Sequence, residues 1–239
     1  MISPVMTMKL MVLDGNSILN RAFYGIRPLT TADGLPTNAV YGFLTILRRL
    51  RSENRPEGLC VTFDRREPTF RHGMYEGYKA TRKGMPEELA MQLPWLQQVI
   101  DALRIPRFDL AGWEADDLLG TIAARSEQAG WDCLLVTGDR DSLQLVTERT
   151  HVLLITSRPG KNDYTEYDEA LFGEKYGFGP DKLVDLKALM GDSSDNIPGV
   201  RGVGEKTAMD LVGRFGSVQE IYERLDTLEI KEAVRKKLE

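Results

Sequence analysis

Cysteine is nearly absent from this sequence: Cys60 and Cys133 are the only two in 239 residues. Two thiols cannot build a disulfide framework. Each lies inside an apolar run, so both are expected to be buried and free, in a reducing cytoplasm. Long apolar runs are also missing. None reaches the roughly 18 residues that a membrane helix needs, so no membrane is expected as a partner. No basic stretch followed by an apolar core precedes Lys9, and a secretory leader is not expected. Met6 and Met8 leave the natural start residue open. Positive charge is not in excess, the formal balance being −5. That sum disfavours a simple polyanion binder, but it also arises when acids gather at a metal site and bases gather elsewhere. Internal repeats and low-complexity tracts are absent. Of the two histidines, His151 opens a strand candidate and reads as structural, whereas His72 belongs to a basic segment.

What is present suits a globular chain, with 42% hydrophobic and 28% charged residues. The length allows one α/β domain with a small appendix. Lys9–Leu13, Leu59–Phe63 and Cys133–Thr137 read as buried strands of a parallel sheet, with His151–Thr156 a fourth candidate. Helix-period segments lie between them: Asn38–Arg51, with an apolar stripe through Val40, Phe43, Leu44, Leu47 and Leu50, then Leu93–Leu103 and Glu114–Gln128. Alternating strands and helices argue for a doubly wound, mostly parallel α/β domain over residues 1–180. Beyond it no strand candidate remains. Lys182–Met190 reads as a helix, a Gly- and Asp-rich loop follows, and short helices run to the end. Residues 181–239 are therefore expected to form a small helical subdomain.

Acids stand where these strands end. Lys9–Leu13 runs into Asp14, Leu59–Phe63 into Asp64, and Cys133–Thr137 through Gly138 into Asp139, with Asp141 two residues on. Open α/β sheets bind ligands outside the carboxyl ends of their strands, so three strands deliver acids to one rim. Glu114, Asp116 and Asp117 open a helix, where a first turn both uses and displays carboxylates. Asp192 and Asp195 lie in the later loop. A single Asp after a strand is ordinarily a cap or turn residue; the joint pattern is what points to chemistry. Carboxylates packed this densely stay ionised together only beside cations. Hard oxygen ligands select Mg²⁺ or Mn²⁺. Two such ions about 4 Å apart suit in-line hydrolysis of a phosphodiester.

Two further segments fit a phosphate-bearing substrate. Between Arg65 and Lys83, bases (Arg65, Arg66, Arg71, Lys79, Arg82 and Lys83) interleave with Phe70, His72, Tyr75 and Tyr78. Cations that track phosphates and rings that stack on bases suit a single strand. Gly73, Gly77 and Gly84 suggest a segment that orders on its substrate. The other segment, Gly199 to Thr207, is a Gly-rich turn before a helix, whose backbone N–H groups suit a phosphate. It is not a P-loop, which needs Gly directly before the Lys; here Glu205 separates Gly204 from Lys206. A sequence-independent grip on a DNA backbone fits Gly202, Gly204, Lys206 and Thr207 better, and a plain helix corner is the simpler alternative.

Taken in order, LDGNS at Asp14, TFDRREPTFRH at Asp64, YKATR at Lys79, EADD from Glu114, TGDRD at Asp139 and GDSSDNIPGVRGVGEKTA near the end resemble the 5′-nuclease (flap endonuclease) family. The resemblance covers nearly the whole chain from Lys9. It implies a PIN-like, resolvase-like sheet domain with a C-terminal helix–three-turn–helix. It also implies two divalent ions, one served by Asp14, Asp64, Glu114 and Asp116, the other by Asp139, Asp141, Asp192 and Asp195, with Asp117 nearby. Residues from about 65 to 90 would form an arch that admits a free 5′ end, with Tyr78, Lys79 and Arg82 facing DNA. Lys79 and Arg82 would stabilise the scissile phosphate. Ile197, Val200 and Val203 would offer main-chain carbonyls to K⁺. The implied substrate is DNA with a 5′ flap or free 5′ end, near the bacterial nucleoid. A polymerase domain in the same parent chain is a further implied partner, which makes this either an excised domain or a standalone enzyme. Two rival readings remain: a non-catalytic module that binds branched DNA, and an RNA-directed nuclease on the same fold.

Overall fold

The computed structural model describes residues 7–158 and 161–239. The alternative start at Met6 lies outside the described residues. In chain order the elements begin with β1 (Lys9–Asp14), α1 (Gly15–Gly25), α2 (Asn38–Asn54), β2 (Gly58–Thr62) and α3 (Phe70–Met74). They continue with α4 (Glu87–Ala102), β3 (Arg107–Phe108), α5 (Ala115–Gln128), β4 (Asp132–Thr137), β5 (Thr150–Arg158) and β6 (Lys161–Tyr167). The last five are α6 (Glu169–Tyr176), α7 (Leu183–Met190), α8 (Glu205–Phe215), α9 (Val218–Glu223) and α10 (Glu232–Leu238). Among the described residues, no helix is long and apolar enough to cross a membrane.

The chain divides into two compact units. The first holds residues up to Thr69 and Gly84–Asp168; the second holds Phe70–Lys83 and Glu169–Glu239. The first unit is built on a six-stranded sheet in the order β3-β2-β1-β4-β5-β6, parallel throughout except for the antiparallel pair β5 and β6. This is the mostly parallel α/β sheet that the strand and helix pattern implies. Strands β1 and β4 are continuous apolar runs because both their faces are covered: Met11, Val12, Leu13, Leu135 and Val136 are fully buried. One core cluster joins them to Phe43 and Leu50 of α2, Phe63 after β2, and Leu89, Leu96 and Ile100 of α4.

Helix α2 starts without a side-chain cap of its own. Gln92, fully buried on α4, takes that role: its Oε1 accepts the N–H groups of Ala39 at 2.8 Å and Val40 at 3.3 Å. Its Nε2 donates to Asn38 Oδ1 and to the Glu88 carbonyl, both at 3.1 Å. Helix α4 begins at Glu87, earlier than the apolar pattern from Leu93 suggests, and carries Pro94 inside it. The other helix and strand expectations in this unit agree with the structure to within a few residues. The sequence pattern did not reveal α1, β3 or β6.

The second unit is helical, with α3 and α6–α10. Its Gly-rich segments are set by backbone contact. A Cβ on Gly199 would lie 2.2 Å from the Gly191 nitrogen, and one on Gly191 2.4 Å from the Gly199 nitrogen, so both positions require glycine. The loop between them closes on itself through paired main-chain bonds of Asp192 and Ile197, each 2.8 Å.

Candidate active site

In the first unit Asp14, Asp64 and Asp139 stand at or just beyond the carboxyl ends of the neighbouring strands β1, β2 and β4. Asp14 ends β1 and caps α1, accepting the Ser17 N–H at 2.9 Å on Oδ1. Its other oxygen accepts Thr137 Oγ1–H at 2.8 Å. Thr137 also accepts the Asp139 N–H at 3.0 Å, and Asp139 Oδ1 accepts the Asp141 N–H at 2.9 Å. One hydroxyl thus ties the ends of β1 and β4 together. On the other side of β1, Asp64 Oδ1 accepts the Ala115 N–H at 2.7 Å, and the Asp64 N–H donates to Asn16 Oδ1 at 3.1 Å. Ala115 is the first residue of α5. The same turn is closed by a capping box, in which the Glu114 N–H donates to Asp117 Oδ2 at 2.9 Å. Glu114 is buried, and Asp116 and Asp117 are half-buried.

The electrostatics show how tightly this rim is loaded. The Asp14 carboxyl is pushed up to about 6, first by burial, against the lowering effect of its bonds from Ser17 and Thr137, and further by the charges of Asp64 and Asp139. Asp64 and Asp139 are each within electrostatic reach of Asp14. Among the described residues, no three His, Cys, Asp or Glu side chains are gathered into a ready-made metal cage. The donor set is all oxygen, and its strain is of the kind that a hard divalent cation relieves, so the residues fit such an ion.

Arg21 was not singled out from the sequence. It projects from α1 and donates to the Gly138 carbonyl, while the Gly138 N–H donates to Ser17 Oγ at 2.9 Å. Burial pulls its guanidinium down, and Asp139 and Asp14 raise it. A Cβ on Gly138 would strike this side chain. The signal was the spacing of Asp14, Ser17 and Arg21 along one helix, which goes unseen when α1 is not recognised. Asn16, Ser17 and Thr137 lie inside the conspicuous sequence motifs, but sequence gives them no geometry.

The second unit holds the remaining acids. Asp192 lies well below the usual carboxylate range: burial alone would raise it, but the Lys187 ammonium at 2.8 Å and bonds from Ser194 outweigh that. Asp195 pairs with the Arg82 guanidinium, whose Nε also donates to the Ser194 carbonyl at 3.1 Å. In the basic segment, Tyr78 is only 5% exposed, with its ring edge-on to His72 and 4.9 Å from the Lys79 ammonium; Tyr75 is 42% exposed. The Arg71 guanidinium lies over its neighbour Phe70. Arg65, in the first unit, is ion-paired to Glu67 and Asp109.

In the Gly-rich turn, Gly202 is left-handed and Gly204 caps α8, which places Lys206 and Thr207 in the first turn of that helix. The Gly202 carbonyl accepts Lys237 Nζ–H at 2.8 Å. The Ile197 carbonyl accepts the Asp192 N–H, and that of Val200 accepts the Val203 N–H.

A mostly parallel sheet with acids along its carboxyl rim, accompanied by a helical unit with a Gly-rich turn, defines a protein of the resolvase-like fold class. The chain belongs to the 5′-3′ exonuclease family: residues 9–177 match its N-terminal resolvase-like domain and residues 178–239 its C-terminal SAM fold. It is 42% identical over 232 residues to the DNA polymerase I of Caldicellulosiruptor bescii, covering 97% of this chain and 27% of that protein. It is 43% identical over 231 residues to that of Bacillus subtilis, covering 97% and 26%. The chain thus spans about a quarter of the length of these curated relatives. The T5 5′-exonuclease, solved with divalent metal ions (zinc) bound, shares the fold with a TM-score of 0.76 at 24% identity, covering 96% of this chain and 83% of that one.

Proposed function

We propose that this chain hydrolyses DNA phosphodiester bonds as a structure-specific 5′ nuclease, acting on 5′ flaps and free 5′ ends with two Mg²⁺ (or Mn²⁺) ions. The observation that carries the reading is that Asp14, Asp64 and Asp139 follow three neighbouring parallel strands, with the Thr137 hydroxyl bonded to both Asp14 and the Asp139 N–H. A binding module for a polyanion gains nothing from buried acids that repel phosphate. Bound divalent ions would lower the pKa of the attacking water and offset charge on the leaving oxygen. Asp14, Asp64, Glu114 and Asp116 are assigned to one ion, and Asp139 and Asp141 to the other. The same reading gives Asp192 and Asp195 the remaining ligand roles, with Asp117 holding the Glu114 turn. Thr137 orients Asp14 and Asp139, and Arg21 limits the net negative charge behind them.

Lys79 and Arg82 neutralise the scissile phosphate, and Arg65, Arg71 and Tyr75 contact the single strand. Lys206, Thr207 and the Gly202–Gly204 backbone hold the duplex phosphates. A K⁺ ion at the carbonyls of Ile197, Val200 and Val203 would add to that grip. In the parent chain the module would work beside a polymerase near the nucleoid.

A 5′-flap duplex assayed with Mg²⁺, with Mn²⁺ and with EDTA tests this. Cleavage is expected with either metal and not with EDTA, and Asp139→Ala should lower turnover by roughly 10²-fold or more. Binding without cleavage would leave a branched-DNA module, and faster cleavage of a matched RNA flap would make it an RNA nuclease.

A further inference from the structure

Three consecutive residues of the second unit, Ser194, Asp195 and Asn196, hold the basic segment at four points. The Lys79 N–H donates to the Asp195 carbonyl at 2.9 Å, and Asn196 Nδ2 donates to the Gly77 carbonyl at 2.8 Å. Arg82 donates from Nε to the Ser194 carbonyl and pairs with the Asp195 carboxylate. The segment is itself a compact turn, in which the Gly77 carbonyl also accepts the Ala80 N–H at 3.1 Å and the Lys79 carbonyl accepts the Arg82 N–H at 3.0 Å. The Gly77 carbonyl is thus the point where turn and loop share one acceptor.

The two sides of this clamp differ in stiffness. The loop is fixed by the Asp192–Ile197 bond pair, by three bonds onto Asp192 Oδ1 from Ser194 and Asp195, and by the backbone contact of Gly191 with Gly199. The basic segment carries Gly73, Gly77 and Gly84 and a left-handed Lys79 at φ 55. Asn196 is left-handed too, at φ 58, a conformation in which Asn is several-fold enriched. Its amide is therefore presented from a rigid frame to a pliant partner.

Not every point of the clamp can last through a reaction. The Asp195 carboxylate that pairs with Arg82 is a proposed ligand of a divalent ion, and Arg82 is proposed to meet phosphate. The Arg82 pair therefore competes with both. The Asn196 amide and the Lys79 N–H use main-chain carbonyls and compete with neither. We infer that Asn196 is a positioning residue: its bond to Gly77 keeps the turn bearing Lys79 and Arg82 in register with the acidic loop once the Arg82–Asp195 pair has opened. The kinetic part of this inference rests on the nuclease reading; the structural part does not.

Asn196→Gly tests it, because glycine accepts the left-handed backbone while removing the side chain whose Nδ2 donates to the Gly77 carbonyl. Native trypsin digestion, read by mass spectrometry at Lys79, Arg82 and Lys83, should show cleavage roughly three- to tenfold faster than in the wild type, with or without Mg²⁺, the range expected for one lost hydrogen bond. On a 5′-flap substrate kcat should fall by a similar factor, while KM and the melting temperature change little. Should Asn196→Gly fail to fold, Asn196→Asp serves instead, since its carboxylate cannot donate to the Gly77 carbonyl. Wild-type proteolysis rates, or a wild-type kcat, in the folded variant overturn the inference. A wild-type protein that cleaves no flap sinks the nuclease reading instead, and the digestion still decides whether Asn196 holds the turn.

Discussion

Replacing Asp14 by Asn should stabilise the metal-free protein at high pH and reduce its benefit from Mg²⁺. The Asp14 carboxyl sits at about 6 in the folded state, against an ordinary value of 3.8. A carboxyl raised by folding binds its proton more tightly in the native state than in the unfolded chain. Its favourable contribution is complete below about pH 4 and is lost as the pH rises through about 6. At pH 8 the ionised group therefore costs the metal-free fold about 3 kcal/mol. Asparagine removes that cost. It also weakens two contacts, because its single oxygen cannot both cap α1 and accept from Thr137 as the carboxylate does. That loss is about 1 kcal/mol, so the net gain at pH 8 is about 2 kcal/mol, and at pH 4 the sign reverses. The assay is urea unfolding at both pH values, in EDTA and in Mg²⁺. Wild type should gain stability from Mg²⁺ at pH 8, and the variant should gain less. An equal destabilisation of the variant at pH 4 and pH 8 in EDTA would refute the reasoning, since it would mean that folding does not raise the Asp14 carboxyl.

Other perturbations have equally definite outcomes. Gln92→Leu should destabilise the first unit by about 2–4 kcal/mol in chemical denaturation, because it strips the cap from α2 and leaves buried polar groups unmatched. Gly199→Ala should cost about 2–4 kcal/mol, since its methyl meets the Gly191 backbone; in the same variant, hydrogen exchange should rise across residues 192–197. Both cysteines are pushed up to about 12 by burial. Thiol reagents should label neither in native protein at pH 8 and both in denaturant. Lys79→Ala should lower kcat by roughly 10²-fold; an effect on KM alone would make Lys79 a substrate-positioning group.

Much of the sheet was legible in the sequence because β1, β2, β4 and β5 are largely apolar, buried runs, and the acids that follow β1, β2 and β4 mark one rim. Helix α1 escaped because Asp14 ends the strand and caps the helix at once, and its first residues, Gly15, Asn16 and Ser17, are turn formers that read as a loop. The two-residue β3 is too short for any period, and β6 reads as polar because it closes an edge. The bonding web around Thr137, and Arg21 behind it, depends on neighbours more than a hundred residues distant, which no spacing encodes. The union of residues 77–82 with 194–196 is hidden for the same reason. Tyr78 suggested an exposed stacking ring by composition, whereas its packing on His72 turns it inward.

The bond from Asp64 to the first N–H of α5 has a mechanical consequence. A carboxylate that terminates one strand is also the anchor from which a separate helix hangs, and the next side chains out are Glu114 and Asp116. Any displacement of Asp64 is therefore passed directly to α5 as a movement of its whole leading turn. One hydrogen bond thus couples the acid beyond β2 to the turn that carries two others.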